Sequence, residues 1–269
     1  MEFTDLLKRF GADVLAGTIA GAAVTPIISA VDRALAENAS GKAKLYDSFF
    51  TSLKEYGARP ITYLRGPQFA YIWLIYGGTY IVANCTETFC AAGKIDASLP
   101  KWIATSTTNT ATCIVKDKAF AQMFGTSVPS NVPKSAYAAW LSRDFVSMGV
   151  FFTLPPIVGR SLAKTEFFNG DEDKAYYTAQ MALPLLLQTV TTPLHLLGYN
   201  IYNDPAGSIS SRIKFLQKDY LKNVSIRMVR MAPPWSLGTI GNREARSGLL
   251  SAFGMAPLVG SSPVYHVSG

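Results

Sequence analysis

Hydrophobic and polar positions fall into long blocks along this chain, not into the short alternation of strands. The first block, Val14 to Val31, holds 18 uncharged residues, enough to cross a bilayer as one helix. Within it, Gly17-Thr18-Ile19-Ala20-Gly21 has the small-residue spacing that permits close helix approach. The second, Gly66 to Thr86, is 21 uncharged residues rich in Tyr, Ile and Trp. The third, Trp102 to Val115, is uncharged but crowded with Thr, Ser and Asn, and hydropathy alone does not mark it. The fourth, Ser135 to Gly159, is interrupted only by Arg143-Asp144. The fifth, Ala175 to Asn203, has no Asp, Glu, Lys or Arg in 29 residues. The sixth, Ile226 to Gly241, carries Arg227 and Arg230 ahead of Met231-Ala232-Pro233-Pro234-Trp235.

Two blocks echo one another. Thr25-Pro26-Ile27-Ile28-Ser29-Ala30-Val31-Asp32-Arg33 returns as Thr192-Pro193-Leu194-His195-Leu196-Leu197-Gly198-Tyr199-Asn200. The prolines are 167 residues apart, which leaves room for a third unit between them. Pro155-Pro156 and Pro233-Pro234 take similar places in even blocks, as kinks would. Between blocks, Tyr46, Phe49, Phe50 and Leu53 fall on one helical face, as do Ile209, Ile213, Leu216 and Tyr220, with Ser208 placed to cap. Ala119 to Phe124 fills that place in the shorter, Pro-rich middle loop.

The pattern predicts an all-α membrane protein with six transmembrane helices in three pseudo-repeats, each with a short helix along the membrane surface. Repeat 1 covers about 8–88, repeat 2 about 96–162 and repeat 3 about 173–248, and 249–269 reads as an extended tail.

Composition agrees. Hydrophobic residues make up 49% and charged residues 16%, below the quarter or so of soluble domains. The net charge of +7 suits anionic lipid as well as nucleic acid, but no nucleic-acid-binding motif is present. The odd loops Asp32–Arg65, Lys116–Lys134 and Asp204–Arg227 carry +2, +2 and +3. The even loops Glu87–Lys101 and Ser161–Lys174 carry 0 and −2. That alternation fits six spans with both termini on one side.

Cys85, Cys90 and Cys113 lack metal-ligand spacing and read as small apolar residues in a reduced setting. With Glu2 and Asp5, the N-terminus makes a poor targeting peptide. No GxSxG, P-loop or HExxH occurs, Asp171-Glu172-Asp173 reads as a solvated loop, and His266 lies in the tail, so no enzyme is expected.

Three units of helix, surface helix and helix, with Pro in the odd helices, resemble the mitochondrial carrier family. Tyr46-Asp47, Lys54-Glu55-Tyr56-Gly57 and Arg65-Gly66 are similar to its surface-helix motifs, with Ser48 in place of a glycine. The resemblance implies a mitochondrial inner-membrane protein with both termini toward the intermembrane space and bound anionic lipid such as cardiolipin, without another cofactor. That family's odd helices carry Pro-x-acid-x-x-base motifs whose ion pairs gate transport. Here the positions after Pro26 are Ile28 and Val31, and those after Pro193 are His195 and Gly198. Lys116-Asp117-Lys118 aligns to the motif only by choice, and Asp32 and Arg33 are expected on another helix face.

The family's cavity positions map to Trp73, Arg143-Asp144 and Arg230, the substrate-contact candidates. Arg143 is open to two readings, a cavity cation for a substrate carboxylate or half of a neutralising pair with Asp144. Arg230 either binds substrate or extends to the interface. His195 is either a proton relay or a neutral histidine bonded between helices. The missing gate charges favour a non-transporting accessory subunit of a respiratory-chain assembly, with other inner-membrane subunits as partners. The alternative is an active carrier for a small carboxylate or amino acid.

Overall fold

A backbone removed from water must satisfy its own N–H and C=O groups, so the long uncharged runs fold as long helices. The computed structural model describes residues 3–125, 131–234 and 238–256, and among them every regular element is a helix. In order these are α1 (Phe3–Ala39), α2 (Leu45–Ala58), α3 (Pro60–Leu64), α4 (Pro67–Ala92) and α5 (Ser98–Phe124). Then follow α6 (Lys134–Ala163), α7 (Glu172–Asn203), α8 (Ile209–Lys218), α9 (Tyr220–Pro233) and α10 (Thr239–Ala252).

The all-α expectation holds. The six-span pattern is not carried by the helices themselves. Among the described residues, two helices are long and apolar enough to cross a membrane by length and composition, Phe3–Ala39 and Lys174–Asn203. Gly, Tyr, Thr and Asn in α4, polar Thr, Ser and Asn in α5, and charges in α6 and α9 separate the other expected segments from these two.

Three boundaries differ from expectation. Ala119 to Phe124 is no separate surface helix, because α5 runs on through it for 27 residues in all. The sixth block falls in α9 and α10, and Trp235 lies outside the described residues. Leu249 to Ala252 belongs to α10 and is not extended, while 257–269, with His266, lies outside the described residues.

Proline does not end the odd helices. Pro26 is inside α1, and Pro184 and Pro193 are inside α7. Pro193 has no N–H for the carbonyl of Thr189 one turn back, and the Tyr220 hydroxyl donates to that oxygen at 2.9 Å instead. Ser208 caps α8 as expected, accepting from the Ser211 N–H at 3.2 Å. In α2 the buried residues are Leu45, Ser48 and Ser52, while Tyr46 and Phe50 of the apolar stripe are exposed. The stripe therefore faces away from the protein, where an apolar surface needs lipid or a partner to cover it.

The chain forms two compact units that cut across the three sequence repeats. Unit 1 comprises Met1–Thr25, Trp73–Asn109 and Pro234–Gly269, and unit 2 comprises Pro26–Ile72 and Thr110–Pro233. In unit 1, α1 and α4 meet through small residues. A Cβ added at Gly21 would lie 2.5 Å from Gly77 Cα, and one at Gly17 would lie 2.7 Å from Ile81 N. The small-residue spacing read from the sequence thus marks a real helix crossing. In unit 2, α6 lies along α7. A Cβ at Gly159 would be 2.8 Å from Tyr176 Cα, and Ala163, Phe168 and Ala175 close the connection between the two helices.

Candidate functional site

Unit 2 buries a connected set of charges. Asp32 is the first charge after the uncharged run of α1 and is fully buried, like Ile28 and Val31 before it. The expectation that Asp32 points away from those residues fails for a geometric reason. Four residues of helix turn by about 400°, so Asp32 lies only about 40° from Ile28. Asp32 Oδ2 accepts Lys116 Nζ at 2.9 Å, and Arg230 Nε lies 2.6 Å from Oδ1. Lys116 also pairs with the neighbouring Asp117, which in turn receives Arg143 Nη1 at 2.6 Å. Arg143 Nη2 lies 2.7 Å from Asp144 Oδ1. The chain Arg230–Asp32–Lys116–Asp117–Arg143–Asp144 joins α9, α1, α5 and α6.

His195 and Tyr199 of α7 complete it. His195 Nδ1 is 2.5 Å from Arg143 Nη1, and the Tyr199 hydroxyl donates to Asp117 Oδ1 at 3.4 Å. A guanidinium can only donate, so Nδ1 accepts and the proton of the neutral ring sits on Nε2. His195 is thus hydrogen-bonded between α6 and α7. Its Nε2, the Asp144 Oδ2 and the Thr192 hydroxyl are buried without a partner. The backbone carbonyl of His195 accepts from Trp140 Nε1 at 3.3 Å. Gly198 makes room for that indole, since a Cβ there would stand 2.1 Å from Trp140 Nε1. His195 and Gly198 thus have packing and bonding roles where a gate acid and base were looked for.

Of the substrate-contact candidates, Arg143, Asp144 and Arg230 belong to this one network. Trp73 does not; it lies in unit 1, where its N–H donates to the Thr18 carbonyl at 3.2 Å. Sequence reading missed Asp32, Lys116 and Asp117 as network members because they do not fall at the motif positions counted from Pro26 and its equivalents.

Unit 1 has a second network. Arg246 Nε reaches Asp13 Oδ1 at 2.6 Å, and its other nitrogens bond Glu87, the Asn84 carbonyl and Thr88 Oγ1. Thr88 donates to Asp13 Oδ2, and Lys101 pairs with Glu87. Asn84 and Asn242 exchange side-chain bonds at 2.8 and 2.9 Å. Among the described residues two cations here meet two carboxylates. No signal in the sequence joined Asp13 to Arg246.

Among the described residues no cluster of His, Cys, Asp and Glu is arranged to hold a metal ion, and Cys85, Cys90 and Cys113 form no disulfide there. A pocket of about 480 Å³ lies against Pro193 and the corner between α8 and α9, lined from Leu216 to Lys222.

The model of a family described as "probable citrulline exporter" matches residues 16–250, which includes every member of the unit 2 network and every member of the unit 1 network except Asp13. The chain belongs to the probable citrulline exporter family. Comparison with curated proteins and with solved structures gives no match. The family assignment replaces the expected mitochondrial carrier family. It also overturns the reading as a non-transporting accessory subunit of a respiratory-chain assembly. That reading rested on missing gate charges, and a buried charged network is present in unit 2 through residues adjacent to the counted positions. Membership of an exporter family favours the alternative, a solute transporter.

Proposed function

We propose that the protein exports a neutral, zwitterionic amino acid of the citrulline class across a membrane. The observation that carries this reading is the match to the exporter family over residues 16–250. The chemistry of unit 2 supports it. Arg143 and Asp144 place a cation beside a carboxylate in an otherwise uncharged stretch of α6, and both ends of a zwitterion need such partners. A buried ion-pair chain across four helices is also a two-state element. Its pairs are costly to separate singly, yet they can be exchanged for pairs with a charged substrate.

Six spans in three repeats remain the proposed topology, supported by the alternating loop charges. The membrane lipid around it is proposed to include anionic species, cardiolipin among them, and α8, with Arg212, Lys214 and Lys218, offers the basic surface. A mitochondrial location was drawn from a family that the chain does not belong to, and only membrane residence is kept. The role proposed is transport without catalysis.

Efflux of labelled citrulline from liposomes carrying the purified protein tests the reading. Efflux above protein-free liposomes, reduced at least tenfold by Arg143→Ala, is expected. No efflux of citrulline or of other neutral amino acids would remove it.

A further inference from the structure

Each network can be charged up from its members. In unit 1, Asp13 and Glu87 meet Arg246 and Lys101, and the sum is zero. In unit 2, Asp32, Asp117 and Asp144 meet Lys116, Arg143, Arg230 and a fourth buried cation, Arg227. One positive charge is left over. The surplus has a definite address. Arg227, on α9, is 4% exposed, and among the described residues its side chain makes one bond, from Nε to Gln188 Oε1 at 3.1 Å. Among the described residues no carboxylate stands within ion-pair distance of it.

A buried guanidinium without a counter-charge is costly, and chains seldom keep one unless something anionic joins it. Water cannot do this as well as a carboxylate, which matches the guanidinium fork with two parallel bonds.

The surroundings fit a carboxylate better than a bare halide. Gln188, Thr192 and His195 stand at i, i+4 and i+7 of α7, on one face of that helix. Gln188 fixes the Arg227 guanidinium at the start of that face. Further along it the Thr192 hydroxyl and the His195 Nε2–H are buried donors that lack acceptors. Asp144 Oδ2, a buried acceptor without a donor, is reached through Arg143, which touches both Asp144 and His195. Surplus positive charge, spare donors and one spare anionic acceptor are what an α-carboxylate and α-ammonium would use.

We propose that Arg227, oriented by Gln188, is the anchor for the carboxylate of the transported amino acid. The proposal rests on the exporter reading and names the residue that makes it selective for amino acids over their uncharged-end analogues.

The test compares citrulline with citrullinamide, in which the carboxylate is replaced by a neutral amide. In liposomes the wild type is expected to take citrulline and reject the amide. Arg227→Gln is expected to raise the KM for citrulline at least tenfold and to lose that discrimination. A KM within twofold of wild type, with discrimination kept, overturns the anchor. Should Arg227→Gln fail to fold, Arg227→Lys serves. It keeps the charge without the fork, so the expected result is a raised KM with discrimination retained, and an unchanged KM overturns the proposal.

If the wild type moves no citrulline at all, the exporter reading fails by itself, and the anchor is then read from melting of the purified protein with citrulline, glutamate or acetate. Stabilisation of wild type that is absent in Arg227→Gln upholds the anchor. Equal stabilisation in both, or none in either, overturns it.

Discussion

Arg230 Nε lies 2.6 Å from Asp32 Oδ1 although 198 residues separate them in the chain. The pair brings α9 to the end of the apolar run of α1, and Asp32 shares its other oxygen with Lys116. One buried carboxylate therefore compensates two cations. Asp32→Asn takes the shared acid from both, leaving Lys116 with Asp117 alone, and removal of one partner from a buried pair costs about 3–5 kcal/mol. The expected outcome is a large fall in melting temperature in detergent. Adding Arg230→Met to Asp32→Asn should recover part of the loss, because the second change removes a cation whose ion pair with Asp32 the first has already broken. Additive losses in the double variant would deny the coupling.

Much of this fold was legible from spacing alone, and much of the site was not. Uncharged runs and the Gly17–Gly21 spacing gave the long helices and the crossing of α1 with α4, since both depend on local periodicity. Network membership depends on which helices meet, and no spacing within a helix encodes that. Asp32 was misplaced by looking for a fixed offset from Pro26, when the helical period puts it beside Ile28. Arg227 looked like a residue that weakened the sixth apolar block; its meaning comes from its burial where, among the described residues, no carboxylate stands within ion-pair distance. Ala119 to Phe124 shows the opposite error. A short amphipathic pattern at the end of a longer run simply continued the helix.

Gly198 is a packing requirement. A Cβ there would stand 2.1 Å from Trp140 Nε1, and Trp140 is fully buried against Tyr199, with ring centroids 5.7 Å apart. The indole cannot retreat, so Gly198→Ala should destabilise by about 1–3 kcal/mol, the usual range for overpacking. Gly11 is the control. It lies within α1 with nothing within 4 Å of its added Cβ, and Gly11→Ala should gain about 0.5–1 kcal/mol from helix propensity. Melting curves of the two variants should move in opposite directions.

The unit 1 network predicts a different pattern. Arg246 bonds Asp13, Glu87, Asn84 and Thr88 at once, so Arg246→Leu strands a buried Asp13 and is expected to cost about 3–5 kcal/mol. Thr88→Val removes the hydroxyl that donates to Asp13 and accepts from Arg246, and should cost about 1–3 kcal/mol, because charged groups are left short of a partner. Lys101 is over a third exposed, and its pair with Glu87 is screened by solvent. Lys101→Gln should therefore lie within about 1 kcal/mol of wild type. Chemical denaturation of the three variants should rank them in that order, and equal losses for Lys101 and Arg246 would deny the network as described.

His195 gives the sharpest chemical test, because its two ring nitrogens have opposite duties. Nδ1 accepts from Arg143, and Nε2 carries a buried hydrogen with no acceptor. An Asn side chain can set its carbonyl oxygen near the place of Nδ1, so His195→Asn can keep Arg143 supplied with an acceptor. His195→Leu fills volume but offers none. The Leu variant should therefore lose about 1–3 kcal/mol more than the Asn variant, the cost of an unmade bond to a buried charged donor. The tautomer is checked directly by ¹⁵N spectroscopy of selectively labelled histidine near neutral pH, where the Nε2–H form is expected. An Nδ1–H signal would place a donor against a guanidinium that has no acceptor to offer, and would undo the assignment of His195 to this network.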